Sequence, residues 1–336
     1  MQALWKIYHD EMPGFLNEFL QLDIMKRIQN VGMNCGCEYT QFPLFINLKE
    51  YSRYTHSVGC ALIVWHFTED MKQTLAALFH DVATPAFSHV IDFLHRDHMN
   101  QESTEEKTLE ILKGSYELMN LLKKYEISVE EIADYHVYPI ADNDTPMLSS
   151  DRLEYTLSNL YNYGFCTLDE ISEFYQDLCV SVNELGDPEI CFQSVDVAEC
   201  FALCTLETSK IYVADADRLI MQLLADLIEM AIKWHVLSED DLYIDENHVI
   251  SKLLSNEKTA AMWKSFCQLK SVRRAENKPE SGLYRLIDAK KRWINPRVVS
   301  GVRINEISMG FKFKANDFLM QKFDEYLVTD DEIPYL

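Results

Sequence analysis

The run Leu75–Pro85, Leu-Ala-Ala-Leu-Phe-His-Asp-Val-Ala-Thr-Pro, constrains this chain more than any other stretch. Leu75, Leu78 and Phe79 repeat at helical spacing, which predicts the end of a buried helix. Pro85 opposes continuation and biases Thr84 away from the helical region. His80 and Asp81 therefore stand side by side where an apolar helix stops. Buried charge is costly unless it is paired or bound to a metal, so the pair reads as a metal anchor. Upstream, His56 opens an apolar segment running through Ile63 and Trp65; downstream, Asp151 opens another helix-like run. Two imidazoles and two carboxylates form a mixed nitrogen and oxygen set. That set suits a borderline or hard divalent ion and leaves coordination positions for water and substrate.

Composition narrows the setting. With 48% hydrophobic and 12% aromatic residues over 336 positions, the chain can bury a sizeable core and is not a disordered acidic protein. Its formal net charge of −23 disfavours nucleic-acid polymers and anionic membranes as partners. No run approaches the ~20 apolar residues that a membrane span needs. The amino terminus carries Asp10 and Glu11 rather than a basic-then-apolar signal segment. Nine cysteines without a small-domain framework fit a reducing compartment, so a cytoplasmic location is expected. Cys35-Gly36-Cys37 and the Cys200/Cys204 pair each lack a matching second pair and read as free thiols.

Taken in order, residues 1–30 are expected to be helical, with Phe15, Phe19, Ile24 and Ile28 on an apolar face. Gly32, Asn34, Gly36 and Pro43 then mark an irregular link. Residues 56–69 and 71–81 read as two helices joined by a short acidic turn. Residues 107–135 read as amphipathic helices packed through Leu109, Leu112, Leu118, Leu121 and Leu122. Asp142-Asn143-Asp144-Thr145-Pro146 is a turn cluster that lacks the spaced acids of a calcium loop. A further helix is expected over 168–185, and Val195–Trp234 carries the longest helical pattern, broken near Asp215. Helices are expected over 247–275, and the alternation Ile307–Lys314 predicts a strand. The fold class is all-α: a helical core over residues 1–240, with a smaller helical and partly stranded region over 241–336.

The order His56, His80-Asp81, Asp151 resembles the metal signature of the HD-domain phosphohydrolases, in particular members like the deoxynucleoside triphosphate triphosphohydrolases. Arg53 matches their Arg-x-x-His pattern, Pro85-Ala86-Phe87-Ser88-His89 their Pro-x-Phe-Ser-His continuation, and Asp151-Arg152 with Tyr155 their Asp-Lys/Arg-x-x-Tyr element. Lys291-Arg292-Trp293-Ile294-Asn295-Pro296 is similar to a basic-aromatic-Ile-Asp-Pro piece late in related chains, and Asn30-Val31-Gly32 to a turn that touches the base. The resemblance implies an HD-type helical bundle and one divalent ion (Mn, Fe, Ni, Zn or Mg) held by His56, His80, Asp81 and Asp151. It implies phosphate or sugar contacts from Arg53, Arg152, Tyr155, Tyr212, Lys291 and Arg292; Asp215 and Arg218 share roughly one side of a helix with Tyr212. Two positions depart from the pattern. Thr84 stands where many relatives have histidine, and Gln101-Glu102 stands where relatives place a proton-transferring His-Glu pair. Glutamine cannot carry a proton, which leaves His98 and Glu102 as catalytic candidates beside Asp151.

Three readings follow. The first is a metal-dependent hydrolase of a nucleotide, with a deoxynucleoside triphosphate as the leading substrate. The second is a phosphomonoesterase or phosphodiesterase acting on another small phosphate ester. The third is a non-catalytic nucleotide sensor. Each takes a small molecule rather than a polymer or a membrane, and a homo-oligomer is compatible with all three.

Overall fold

The computed structural model describes residues 1–99 and 107–336. The amino-terminal segment is helical in short pieces: α1 (Trp5–Tyr8), α2 (Leu16–Leu20) and α3 (Asp23–Arg27). Pro13 and Gly14 interrupt them, while Tyr8, Leu16, Phe19 and Met25 are fully buried.

The two site helices follow. α4 (Arg53–Thr68) begins where the Ser52 hydroxyl accepts the Thr55 amide, and ends at Glu69, whose φ of 49° is left-handed. α5 (Met71–Phe79) begins where the Asp70 carboxylate accepts the Lys72 and Gln73 amides. Such caps contribute about 1 kcal/mol each. α4 is buried on every face from His56 to Val64, so it is a central helix with α5 and α9 against it. α6 (Val90–Leu94), α7 (Thr108–Gly114) and α8 (Tyr116–Lys124) lead to α9 (Ser150–Asn162), which stops before Gly164 at a φ of 74°. Leu112, Leu118 and Leu122 pack as expected, whereas Leu109 is exposed.

The expected helix over 168–185 ends early. α10 (Leu168–Gln176) gives way to a hairpin of β1 (Leu178–Val182) and β2 (Pro188–Phe192), with Cys179 opposite Cys191. The alternation Leu-Cys-Val-Ser-Val has the period of a strand, and Gly186 supplies the positive φ that its turn requires. The long helical pattern breaks as expected, into α11 (Val195–Ile211) and α12 (Asp215–Lys233). α13 (Glu246–Leu254) and α14 (Glu257–Phe266) then precede a small antiparallel sheet of order β3-β5-β4, formed by β3 (Arg273–Ala275), β4 (Leu283–Arg285) and β5 (Tyr326–Thr329).

The strand expected over 307–314 is instead helical: α15 (Ile304–Ile307) leads into α16 (Met309–Met320). Ser308 accepts the Phe311 amide as an N-cap, and Phe311, Ala315 and Phe318 are buried at i, i+4 and i+7. The helical period of these three outweighs the short alternation before them, and Phe313 is left exposed.

Two apolar cores result. One joins α1–α5, α8–α11 and α16; the other gathers Phe42, Phe45, Phe87 and Phe93 around α12 and α14. Both draw on residues from either side of position 240. Among the described residues, no helix is long and apolar enough to cross a membrane.

Candidate metal centre and the cavity it opens into

Three helix ends deliver the centre. His56 lies one turn into α4, His80 and Asp81 follow the last residue of α5, and Asp151 sits in the first turn of α9. His56 Nε2 lies 2.9 Å from Asp151 Oδ1, 3.2 Å from His80 Nε2 and 3.9 Å from Asp81 Oδ2. His80 Nε2 lies 3.5 Å from Asp81 Oδ2 and 3.7 Å from Asp151 Oδ1. Donor atoms of His56, His80 and Asp151, with Cys60, thus lie within 4.8 Å of one another, and Asp81 Oδ2 lies beside the two imidazoles.

The outer contacts fix how each ring presents itself. His80 Nδ1 donates to the Ala77 carbonyl at 2.7 Å, which leaves the Nε2 lone pair for the centre. His56 Nδ1 is 2.6 Å from Glu154 Oε2, and Glu154 in turn accepts from the Tyr51 hydroxyl at 2.5 Å and the Ser158 hydroxyl at 2.7 Å. A carboxylate behind a histidine is a common support for a metal ligand. Gly59 makes this arrangement possible, because a Cβ there would lie 2.5 Å from Glu154 Cγ.

Charge is balanced locally. Burial opposes ionisation of Asp81, yet Arg53, His80 and His56 together hold its carboxyl far below the usual range. Asp151 is likewise held low against burial, by His56 first and then by His80 and Arg152. For His56, burial opposes the cation, but contacts with Cys60, Asp151 and Glu154 push the imidazole well above its ordinary value. Once His56 gives up its Nε2 proton, two imidazole nitrogens with outer partners and two ionised carboxylates fit a divalent ion. The Cys60 thiol, one turn after His56, is 3.6 Å from His56 Nε2 and belongs to the His56, Cys60, His80, Asp151 cluster. Burial pushes that thiol up, so it stays protonated and is a weaker donor than the carboxylates.

A cavity of about 630 Å³ opens from the centre. Arg53 lies in its wall, with Nη1 at 3.1 and 3.2 Å from the two Asp81 oxygens and Nε donating to Ser88 Oγ at 3.0 Å. Ser88 and Phe87 both have left-handed φ angles, 52° and 61°, and the Ser88 hydroxyl donates to the Gly32 carbonyl. Tyr155 meets Tyr212 edge to face at 6.1 Å, and the Tyr212 hydroxyl accepts from Asn159. Arg292 reaches His89 Nε2 at 3.4 Å and also interacts with Tyr155.

Other expected residues are turned to different tasks. Arg152 borders the cavity, but its guanidinium binds Asn143, the Met147 carbonyl and, at 3.2 Å, Asp142. Lys291 borders the cavity too, while its ammonium donates to the Leu319 and Gln321 carbonyls at the end of α16. Asp215 and Arg218 pair with each other at 2.6 Å. His98 stacks on Phe93 at 4.7 Å and lines the cavity, and its Nε2 is buried without a hydrogen-bond partner among the described residues. Glu102 and Gln101 lie outside the described residues.

Sequence reasoning passed over four groups. Cys60 and Glu154 carried a usable signal, one helical turn from His56 and Asp151 respectively. His89, named without a role of its own, forms a dyad with the fully buried Asp92 at 2.9 Å; its His-x-x-Asp spacing was the signal. Burial, with Arg292 and Arg53 nearby, lowers the His89 imidazole, although Asp92 pulls the other way. Asp217 also lines the cavity, and nothing in its local sequence marked it.

With this geometry in place, the comparisons with known proteins agree. Residues 53–158 match the HD domain family. This match and the phosphohydrolases among the relatives support the HD-domain metal-dependent phosphohydrolases as its superfamily and a metal-dependent hydrolase as its class. Among its relatives is the uncharacterized protein YdhJ of Bacillus subtilis, 26% identical over 249 residues, which are 73% of each chain. The metal-dependent phosphohydrolase cns2 of Cordyceps militaris is 25% identical over 179 residues, 52% of this chain and 49% of that protein. The fold is shared with the crystal structure of a phosphohydrolase from Bacteroides thetaiotaomicron, at a TM-score of 0.59 and 15% identity, covering 95% of this chain and 96% of that one.

Proposed function

We propose that this metal-dependent phosphohydrolase acts on a nucleotide, with a deoxynucleoside triphosphate as the leading candidate. One observation carries the reading: a single cavity of about 630 Å³ joins the convergent His56, His80, Asp81 and Asp151 donors to a wall of Tyr155, Tyr163, Tyr212 and Asn159. That volume exceeds the need of a phosphate group, and aromatic rings with a side-chain amide suit a base and sugar.

His56, His80, Asp81 and Asp151 would hold the ion. When bound, it supplies charge neutralisation at a phosphoryl oxygen and a water of lowered pKa. Arg53 and Arg292 place guanidinium groups where substrate phosphate oxygens can accept from them, a geometry to which arginine is suited. The Tyr155 hydroxyl can donate to the same oxygens. His89 is oriented by Asp92 at Nδ1 and holds or moves a proton at Nε2, on the side facing Arg292 and the cavity. His98 is a second candidate for that proton. Phosphoryl transfer asks mainly for positioning and charge stabilisation, which this set provides. The nine free thiols suit a reducing compartment, and we assign the protein to the cytoplasm.

The test is a hydrolysis panel of deoxynucleoside and ribonucleoside triphosphates, nucleoside monophosphates and bis(p-nitrophenyl) phosphate, each with Mg²⁺, Mn²⁺, Fe²⁺ or Ni²⁺. Turnover of nucleotides well above the simple ester is expected, and His89→Ala should lower kcat by roughly 10²–10⁴ with metal content retained. Turnover of the simple ester alone would overturn the nucleotide assignment.

A further inference from the structure

Asp217, at the start of α12, lines the same cavity although α12 contributes none of the four metal-binding residues. Its neighbour in sequence, Arg218, would be the natural counter-ion but is committed elsewhere. Arg218 Nε donates to the Val213 carbonyl at 3.1 Å, Nη1 to the Ile287 carbonyl, and Nη2 to Asp215 at 2.6 Å. The Asp217 carboxylate accepts at Oδ1 from the Cys37 thiol, at 3.7 Å. A thiol is a weak donor, and a carboxylate offers about four acceptor positions. Burial pushes the carboxyl up to about 7, with Arg218 and Arg292 pulling it down. Flat and apolar side chains line the same cavity, among them Tyr163, Phe45, Met33 and Met221.

Resting on the nucleotide reading above, we propose that Asp217 is a specificity-determining residue whose carboxylate accepts N–H groups from the edge of the substrate's base. The favoured class is a nucleotide whose base carries an amino group beside a ring N–H, the donor pair of a guanine-type edge. A half-buried carboxylate short of strong donors is penalised, and a substrate that supplies them relieves that cost on binding. Planar N–H pairs match carboxylate geometry best. A base edge lacking the amino group leaves the carboxylate underfilled, so discrimination acts by a missing partner rather than by a clash.

Two substrates that differ only at this edge provide the experiment: deoxyguanosine triphosphate against deoxyinosine triphosphate, which keeps the ring N–H and lacks the amino group. Wild-type, metal-loaded protein is expected to favour deoxyguanosine triphosphate over deoxyinosine triphosphate by roughly 10–100-fold in kcat/KM. Asp217→Asn, which keeps size and removes the carboxylate, is expected to bring that ratio to within about threefold, chiefly through KM, with metal content unchanged. A wild-type enzyme with no preference between the two overturns the role of Asp217 without any variant being needed. A preference that persists in Asp217→Asn overturns it as well, and both results leave the nucleotide reading standing. Hydrolysis of bis(p-nitrophenyl) phosphate without hydrolysis of any triphosphate overturns the nucleotide reading itself.

Discussion

At the scale of single residues, the centre depends on groups that touch no substrate. Glu154 is buried and holds the His56 ring through Nδ1, so Glu154→Gln should weaken metal affinity by about 10–100-fold without unfolding the protein. Competition against a chromophoric chelator measures this, and unchanged affinity would show that the Glu154 contact is incidental. Asp81→Ala should lose the ion outright, as read by elemental analysis. Arg53 contributes to phosphate binding in our reading and also forms a buried pair with Asp81. Breaking such a pair leaves one charge uncompensated, so Arg53→Ala should destabilise the metal-free protein by about 3–5 kcal/mol in denaturant unfolding. An exposed pair would contribute under ~1 kcal/mol, which makes the two cases separable.

Between elements, the approach of α4 to α9 is set at Gly59. An added Cβ would sit 2.5 Å from Glu154 Cγ and 2.7 Å from Oε1, so the Glu154 side chain that holds the His56 ring would have to shift. Gly59→Ala would gain helix propensity in isolation, yet overpacking a buried contact costs about 1–3 kcal/mol. The expected outcome is a lower thermal midpoint together with reduced metal content. A variant that is more stable and fully metallated would show that the helices have slack at this point.

Across the whole molecule, two linkages follow. An ion that binds the folded chain and not the unfolded one should raise the thermal midpoint, with about 2.7 kcal/mol of added stability at a free concentration one hundred times Kd. Dialysis against a chelator should reverse it. The second linkage is to protons. Glu38 is pushed up to about 8, first by burial and then by the charge of Glu246 beside it; Glu246 itself accepts from the Gly32 amide and the Tyr39 hydroxyl. A carboxyl raised in the folded state gives stability that is complete below its unfolded value, near 4.5, and is lost as pH rises through about 8. Glu38→Gln should therefore stabilise the protein at pH 9 relative to wild type, on the order of 1 kcal/mol, and change little at pH 5. Thermal midpoints at the two pH values check the sign.

Local sequence points to the candidate ligand set and to the helices that carry it. An apolar period ending at His80-Asp81 before Pro85 states both that a helix stops and that two polar groups are left at its end. The caps at Ser52 and Asp70 are equally local, as is the Ser149 hydroxyl that accepts the Arg152 amide at the start of α9. The break between α11 and α12 was legible because its flanking periods are long. Long-range contacts settle the rest. Alternation over 307–314 yielded to helix because Phe311, Ala315 and Phe318 found a core to pack against, and the β1–β2 pairing needed a partner strand that no local window contains. Arg152 and Lys291 carry the charge expected of them, but Asp142, Asn143 and the end of α16 claim their side chains through the fold. Asp217 had no signal at all, since its place in the cavity wall arises only when α12 folds back beside Cys37. Chain-local physics names which groups can do the chemistry, while tertiary packing decides which of them face it.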